Sequence, residues 1–208
     1  MIFDKNQNIP TDDKTIRRAL IREVEDLYRG ANHFKIIEEL GILNGEARID
    51  IAVINGLIHG YEIKSDVDTL NRLPDQMKYF NSVLDKVTIV VGKKHLTDAI
   101  KIIPEWWGIS IARIIDVDKG VTFVNIRDAE QNPNQDVFSL TSLLWKDEAI
   151  NILEMMNLAG GIRSKTRLEV FQKLIDVLDR KTIGEKVREC LCSRPTLKFD
   201  LSYMPCGD

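Results

Sequence analysis

Asp50, Glu62 and Lys64 are the residues of this chain whose types and spacing could do chemistry. Asp50 lies in one apolar run; after eleven intervening residues the next run carries Glu62-Ile63-Lys64. Side chains in a strand alternate between faces, so Glu62 and Lys64 project from one side and Tyr61 and Ile63 from the other. Two carboxylates and an ammonium on one sheet face lose solvation, and something must offset that loss. A divalent cation does so. Mg²⁺ takes hard oxygen ligands and keeps several waters, so two or three carboxylates are enough to hold it. With a lysine alongside, such a set is suited to phosphodiester hydrolysis. The cation neutralises a non-bridging oxygen, and the lysine assists the attacking water or stabilises developing negative charge. The plainer alternative is a cross-strand charge pattern on an exposed face.

The elements that must position these residues can be read from the pattern. Arg48 to Ile54 reads as a strand with Ile49, Ile51 and Val53 on one face and Asp50 and Ala52 on the other. Asn55-Gly56 is a strong hairpin signal, because both residues tolerate positive φ. Register then imposes a condition. A two-residue loop at Asn55-Gly56 sets Asp50 opposite Tyr61, and the two carboxylates face opposite sides. One extra residue sets Asp50 opposite Glu62. Either a three-residue loop with Gly56 in the left-handed region or a bulge near Gly60 would absorb it.

Helices flank this pair. The first, about Asp13 to Arg29, carries a stripe of Ile16, Leu20, Val24 and Leu27, with Asp12 or Asp13 as its cap. Glu23 lies at the edge of that stripe. His33 to Leu40 reads as a strand ending in Glu38 and Glu39, on opposite faces. After the motif, Leu70, Leu73, Met77, Phe80 and Leu84 form a helical stripe with Gln76 beside it and Pro74 at the first helical position. Lys86 to Gly92 reads as a buried central strand, His95 to Ile103 as a helix stopped by Pro104, and Ile109–Ile114 and Val121–Ile126 as strands joined around Asp118-Lys119-Gly120. This order predicts an α/β sandwich around a mixed sheet.

Asp50, Glu62-x-Lys64 and their surroundings, Glu38-Glu39-Leu40-Gly41 and His59-Gly60-Tyr61 through Asp66, resemble the PD-(D/E)XK nuclease superfamily, and within it a small bacterial branch. The resemblance to the superfamily core covers roughly Thr15 to Ile114. It implies a restriction-endonuclease-like mixed β-sheet flanked by helices, with Asp50 and Glu62 binding Mg²⁺ (Mn²⁺ as substitute) and Lys64 orienting or activating water. It also implies an additional acidic ligand from the first helix or the neighbouring strand; Glu23, Glu38 and Glu39 are the candidates. Ile49 stands where the family name has proline. RecB-like members place a tyrosine four residues after the glutamine of the following helix; here Phe80 follows Gln76 and Tyr79 lies one earlier. Gln76 would contact backbone or substrate. The implied partner is DNA. The alternative is a nuclease-fold protein that binds DNA or a protein partner without cutting.

The remaining sequence sets limits. At 208 residues with a net charge of −3, no overall basic field announces nucleic acid, although local patches suffice for it. No apolar run approaches a membrane span, and the first residues lack signal-peptide architecture, so a cytoplasmic protein with free thiols is expected. Cys190, Cys192 and Cys206 lack structural-zinc spacing, and His33, His59 and His95 form no motif. Trp106 and Trp107 suit packing at the sheet edge or base stacking. Residues 1–126 are expected to form the core, the polar stretch 127–137 a linker, and 138–208 a helical C-terminal region with helices at about 140–158, 165–178 and 182–192. From Leu158 to Lys198 ten basic residues face five acidic ones, and Arg163, Lys165 and Arg167 at a helix start are candidate phosphate contacts. A dimer is compatible with this reading.

Overall fold

A computed structural model describes residues 9–30, 34–116 and 120–195. His33, the Asp118-Lys119 turn and Cys206 lie outside them. The sheet is mixed and has six strands in chain order: β1 (Lys35–Ile42), β2 (Ala47–Ile54), β3 (Ile58–Lys64), β4 (Lys86–Gly92), β5 (Gly108–Asp116) and β6 (Gly120–Arg127). β3 runs parallel to β4 and β4 to β5; the other neighbours are antiparallel. The parallel pairs are joined by α2 (Leu73–Val83) and α3 (Leu96–Ile102), as crossovers require. α1 (Asp13–Leu27) precedes the sheet, and α4 (Val137–Thr141), α5 (Lys146–Met155), α6 (Arg167–Val177) and α7 (Arg180–Ser193) follow it. The α/β class with C-terminal helices is therefore as expected. None of these helices is long and apolar enough to cross a membrane.

The two sheet faces bury different partners. On one, Ile16, Leu20 and Val24 of α1 pack on Ile51, Val53, Ile63 and Val90. Asp12 caps α1, its carboxylate accepting from the Thr15 amide, so the helix begins where the sequence marks it. On the other face, Phe80 and Val83 of α2 share one continuous core with Ile54, Ile58, Ile89 and the C-terminal Leu140, Leu153, Phe171 and Val187. Trp107 is fully buried there, its indole N–H donating to Asn81 Oδ1 at 2.9 Å, and Trp106 packs edge-on against it. Pro74 occupies the second helical position of α2, after Leu73, rather than the first.

Residues 127–137 do not behave as a linker. Asn132 is buried, and its side-chain amide donates to the carbonyls of Asn81 and Leu84 at 2.7 Å each. The Gln135 amide donates to Val83 O at 2.6 Å. These are the carbonyls that the last turn of a helix leaves unpaired, so the polar side chains close the C-terminal end of α2. The stretch docks the C-terminal helices onto the sheet.

Two local features place the site. The β2–β3 connection is the three-residue loop Asn55-Gly56-Leu57, between the pair Ile54–Ile58, with Gly56 at φ +87°. The ladder then runs regularly to Ile51–Tyr61, which puts Asp50 in register with Glu62. The second feature departs from the sequence reading. Ile49 packs in the α2-side core with Ala52 and Ile54, not with Ile51 and Val53 on the α1 side. Face alternation thus breaks at Asp50. In β1, Glu39 lies between the pairs Glu38–Ile51 and Leu40–Ile49, in register with Asp50, and has φ +54°. A left-handed residue reverses the pleat locally, so both strands step to the other face together and keep their register.

Candidate functional site

Glu62 projects from β3 toward α2 and is 1% exposed. Its Oε1 accepts two hydrogen bonds, from Lys64 Nζ at 2.6 Å and from Gln76 Nε2 at 2.8 Å. Lys64 Nζ also donates to Gln76 Oε1 at 3.2 Å, closing a three-residue ring. The second carboxylate oxygen, Oε2, is buried and has no partner. A buried acceptor without a donor costs free energy on the order of 1–3 kcal/mol. Burial, reinforced by the Asp50 charge and opposed by Lys64, pushes the Glu62 carboxyl up to about 7.

Asp50 sits where the pleat reverses, beyond the last β2–β3 pair. Its Oδ2 accepts the Ile63 N–H at 2.6 Å, so its carboxylate spans the seam between the parting strands. Its Oδ1 accepts from Arg17 Nη2 of α1 at 2.7 Å, and Arg17 Nη1 donates to its backbone carbonyl at 2.8 Å. Burial raises the Asp50 carboxyl, against the opposing pull of the Ile63 N–H and Arg17. Arg17 also pairs with Glu39 at 2.8 Å and Asp13 at 3.2 Å.

The structure therefore brings together Asp50, Glu62, Lys64 and Gln76. Glu39 joins them only through Arg17, and it also pairs with Arg48. Glu38 is exposed. Glu23 is not part of the site. It lines a cavity of about 270 Å³ on the α1 side with His59, Tyr61, Thr88, Ser110 and Asn125. Among the described residues, no group of three or more His, Cys, Asp or Glu side chains converges as a metal cage.

Sequence reasoning missed Arg17. Its only signal is the Asp13–Arg17 spacing, which reads as an ordinary helix ion pair.

His59 lies within β3. It stacks on Tyr61 with ring centroids 4.3 Å apart, and its Nε2 lies 2.8 Å from Thr88 Oγ1.

The basic trio is divided. Arg167 donates to the carbonyls of Ser142 and Leu144 at 2.8 and 2.9 Å, to Asn44 Oδ1, and stacks over Phe171 at 4.9 Å. Its two terminal nitrogens donate inside the protein while its Nε is buried without a partner, so it is a tie between α6 and the α4–α5 junction rather than a phosphate contact. Arg163 and Lys165 are exposed and pair with Glu154 at 2.5 Å and Glu169 at 3.3 Å. Cys190 is half-buried and Cys192 exposed, both as free thiols.

Comparison with known proteins adds a relationship. The family model described as bacteriophage P4 protein cII matches residues 11–199. Protein cII of Enterobacteria phage P4 is 30% identical over 154 residues, which are 74% of this chain and 55% of that protein. The chain thus spans about half the length of that relative. A solved structure of a protein of unknown function from Silicibacter pomeroyi is 18% identical and aligns over 71% of this chain and 92% of its own, with a TM-score of 0.39.

Proposed function

We propose that this chain, which belongs to the bacteriophage P4 protein cII family, is a metal-dependent nuclease that hydrolyses phosphodiester bonds in DNA. The observation that carries this reading is Glu62, held on one oxygen by Lys64 and Gln76 and left bare on the other inside the protein. A structural carboxylate has no use for an unpaired buried oxygen; a metal ligand does. The residues fit Mg²⁺ or Mn²⁺: Glu62 Oε2 and the Asp50 carboxylate would hold the ion, and water and substrate oxygens suit the remaining positions. Such an ion brings positive charge to a non-bridging phosphate oxygen and acidifies a bound water.

The chain's own residues supply the rest. Gln76 and Lys64 fix the Glu62 rotamer. The Lys64 ammonium is held beside Glu62, where it can stabilise charge on the attacking or leaving oxygen. The Ile63 N–H aligns Asp50. The resemblance to PD-(D/E)XK nucleases supports the same roles for the same residues. Phe80, fully buried, leaves no phenol where RecB-like members have one, so Gln76 acts here through Glu62 and Lys64.

The test is incubation of the purified protein with supercoiled, linear, single-stranded and branched DNA in Mg²⁺, Mn²⁺ or EDTA. Cleavage that needs the metal and is absent in Glu62→Gln is expected. No cleavage of any form in either metal would replace this reading with that of a nuclease-fold protein that binds without cutting.

A further inference from the structure

Arg17 occupies the one oxygen of Asp50 that a metal would take. Asp50 Oδ2 is committed to the Ile63 amide, and Oδ1 to the guanidinium at 2.7 Å. The same guanidinium already touches two other carboxylates, Glu39 at 2.8 Å and Asp13 at 3.2 Å. Those two side chains are 45% and 44% exposed, against 18% for Asp50, so they lie on the solvent side of the fork. Sharing Arg17 among three acids, with Arg48 meeting Glu39 at 3.5 Å, leaves the cluster one cation short. It also gives the arginine somewhere to rest without Asp50. Glu39 has a left-handed backbone, at φ +54°, and its carboxylate reaches Arg17 from that position.

On the premise that Asp50 and Glu62 hold a metal, we propose that Arg17 is a displaceable counter-ion, a latch that covers Asp50 Oδ1 in the metal-free protein and withdraws onto Glu39 and Asp13 when the metal enters. Arg17 is thereby a positioning residue acting through Asp50. A fixed prop and a displaceable latch predict opposite signs. If Arg17 merely props Asp50, removing it loosens a ligand and weakens metal binding. If it is a latch, removing it frees Oδ1 and deletes a repelling charge, and metal binding tightens.

The experiment is calorimetric titration of the full chain with Mn²⁺ alone, for the wild type, Arg17→Gln and Arg17→Lys. Circular dichroism and thermal melting establish that each variant is folded. Charge-assisted hydrogen bonds of this kind convert to roughly tenfold or more in affinity, so Arg17→Gln should bind Mn²⁺ at least about tenfold more tightly. Arg17→Lys keeps the charge but loses the fork, and should fall between the two. Should Arg17→Gln fail to fold, the lysine variant decides alone: tighter binding supports the latch. Equal or weaker binding in the folded variants overturns it while leaving the metal reading intact. No Mn²⁺ binding by any of the three proteins overturns the metal reading, and the latch with it.

Discussion

The two faces of β3 bury titratable groups side by side and treat them differently. Toward α1, His59 is pushed down to about 4, chiefly by burial and secondarily by Lys86. Toward α2, Glu62 is pushed up to about 7, again chiefly by burial. Both therefore favour their neutral forms, and perturbation alone does not separate a functional group from a structural one. What separates them is satisfaction. His59 has Thr88 and a stacked Tyr61. Glu62 has an ammonium and an amide on one oxygen and nothing on the other. The α1 side looks finished as it stands; the α2 side carries an acceptor that only an added cation or proton completes.

The largest effect should come from removing that acceptor's charge. Glu62→Gln is nearly isosteric and should abolish Mn²⁺ binding, read by calorimetry, with the circular dichroism spectrum unchanged. Lys64→Ala should retain the metal and lose cleavage by about a hundredfold or more. If Glu62→Gln binds Mn²⁺ as the wild type does, the contrast between the faces has no bearing on metal.

The next effect is on stability against pH, in the metal-free protein. Folded Glu62 keeps a proton between its ordinary 4.5 and about 7, where the unfolded chain has lost it, so its contribution to stability falls as pH rises through that window. Folded His59 refuses a proton between its ordinary 6.5 and about 4, where the unfolded chain takes one up, so its contribution falls as pH drops through that window. Each is worth up to about 3 kcal/mol. The two slopes oppose one another where the windows overlap, and the wild type should be nearly flat there. Glu62→Gln should uncover the histidine slope, with stability rising from acid pH toward neutrality. His59→Gln should uncover the opposite slope. Urea melts across this pH range check both; parallel profiles in the two variants would contradict the assignment.

How much of this was legible in the sequence depends on the range of the interaction. The need for one extra residue between Ile54 and Tyr61 followed from side-chain parity, which left a loop at Gly56 and a bulge near Gly60 open; the structure has the loop. Helix periodicity, which is local, placed Gln76 beside the α2 stripe; that it meets the motif was implied only by the resemblance to RecB-like nucleases. The face switch at Asp50 was hidden. It depends on a left-handed Glu39 in another strand, and glutamate carries no signal for that conformation. The polar stretch 127–137 misled for the same reason. Its amides cap a helix about fifty residues earlier, and nothing in composition distinguishes a solvated Asn from a buried one. Arg167 was legible as a cation but not as a tie, since its partners are backbone carbonyls, which no residue type announces.

A smaller effect divides the basic trio on the α2 side. Arg167→Ala removes bonds to two carbonyls and should lower stability by about 1–3 kcal/mol. Arg163→Ala and Lys165→Ala remove exposed pairs and should change it by no more than about 0.5 kcal/mol. Thermal or urea denaturation separates them. Equal losses in all three would mean that Arg167 is not the tie its contacts describe.

The smallest expected effect belongs to Glu23, and it tests whether the faces are independent. Helix α1 reaches the site through Arg17, whose fork meets Asp50. Glu23 lies further along the same helix, in the cavity with His59 and Tyr61, and the sheet stands between that cavity and Glu62. Its carboxyl is raised by burial alone, with no metal-site residue among the causes. Glu23→Gln should therefore leave Mn²⁺ affinity and cleavage within about twofold of the wild type, a change too small to represent a lost ligand. The same substitution should relieve the upward push that Glu23 exerts on the Tyr61 phenol, whose chief cause is burial. A spectrophotometric titration of the tyrosines would register that shift and show that the variant acts on its own side of the sheet. A tenfold or greater loss of metal affinity would instead make Glu23 a ligand, and would require α1 to rotate by enough to carry it across from the histidine side.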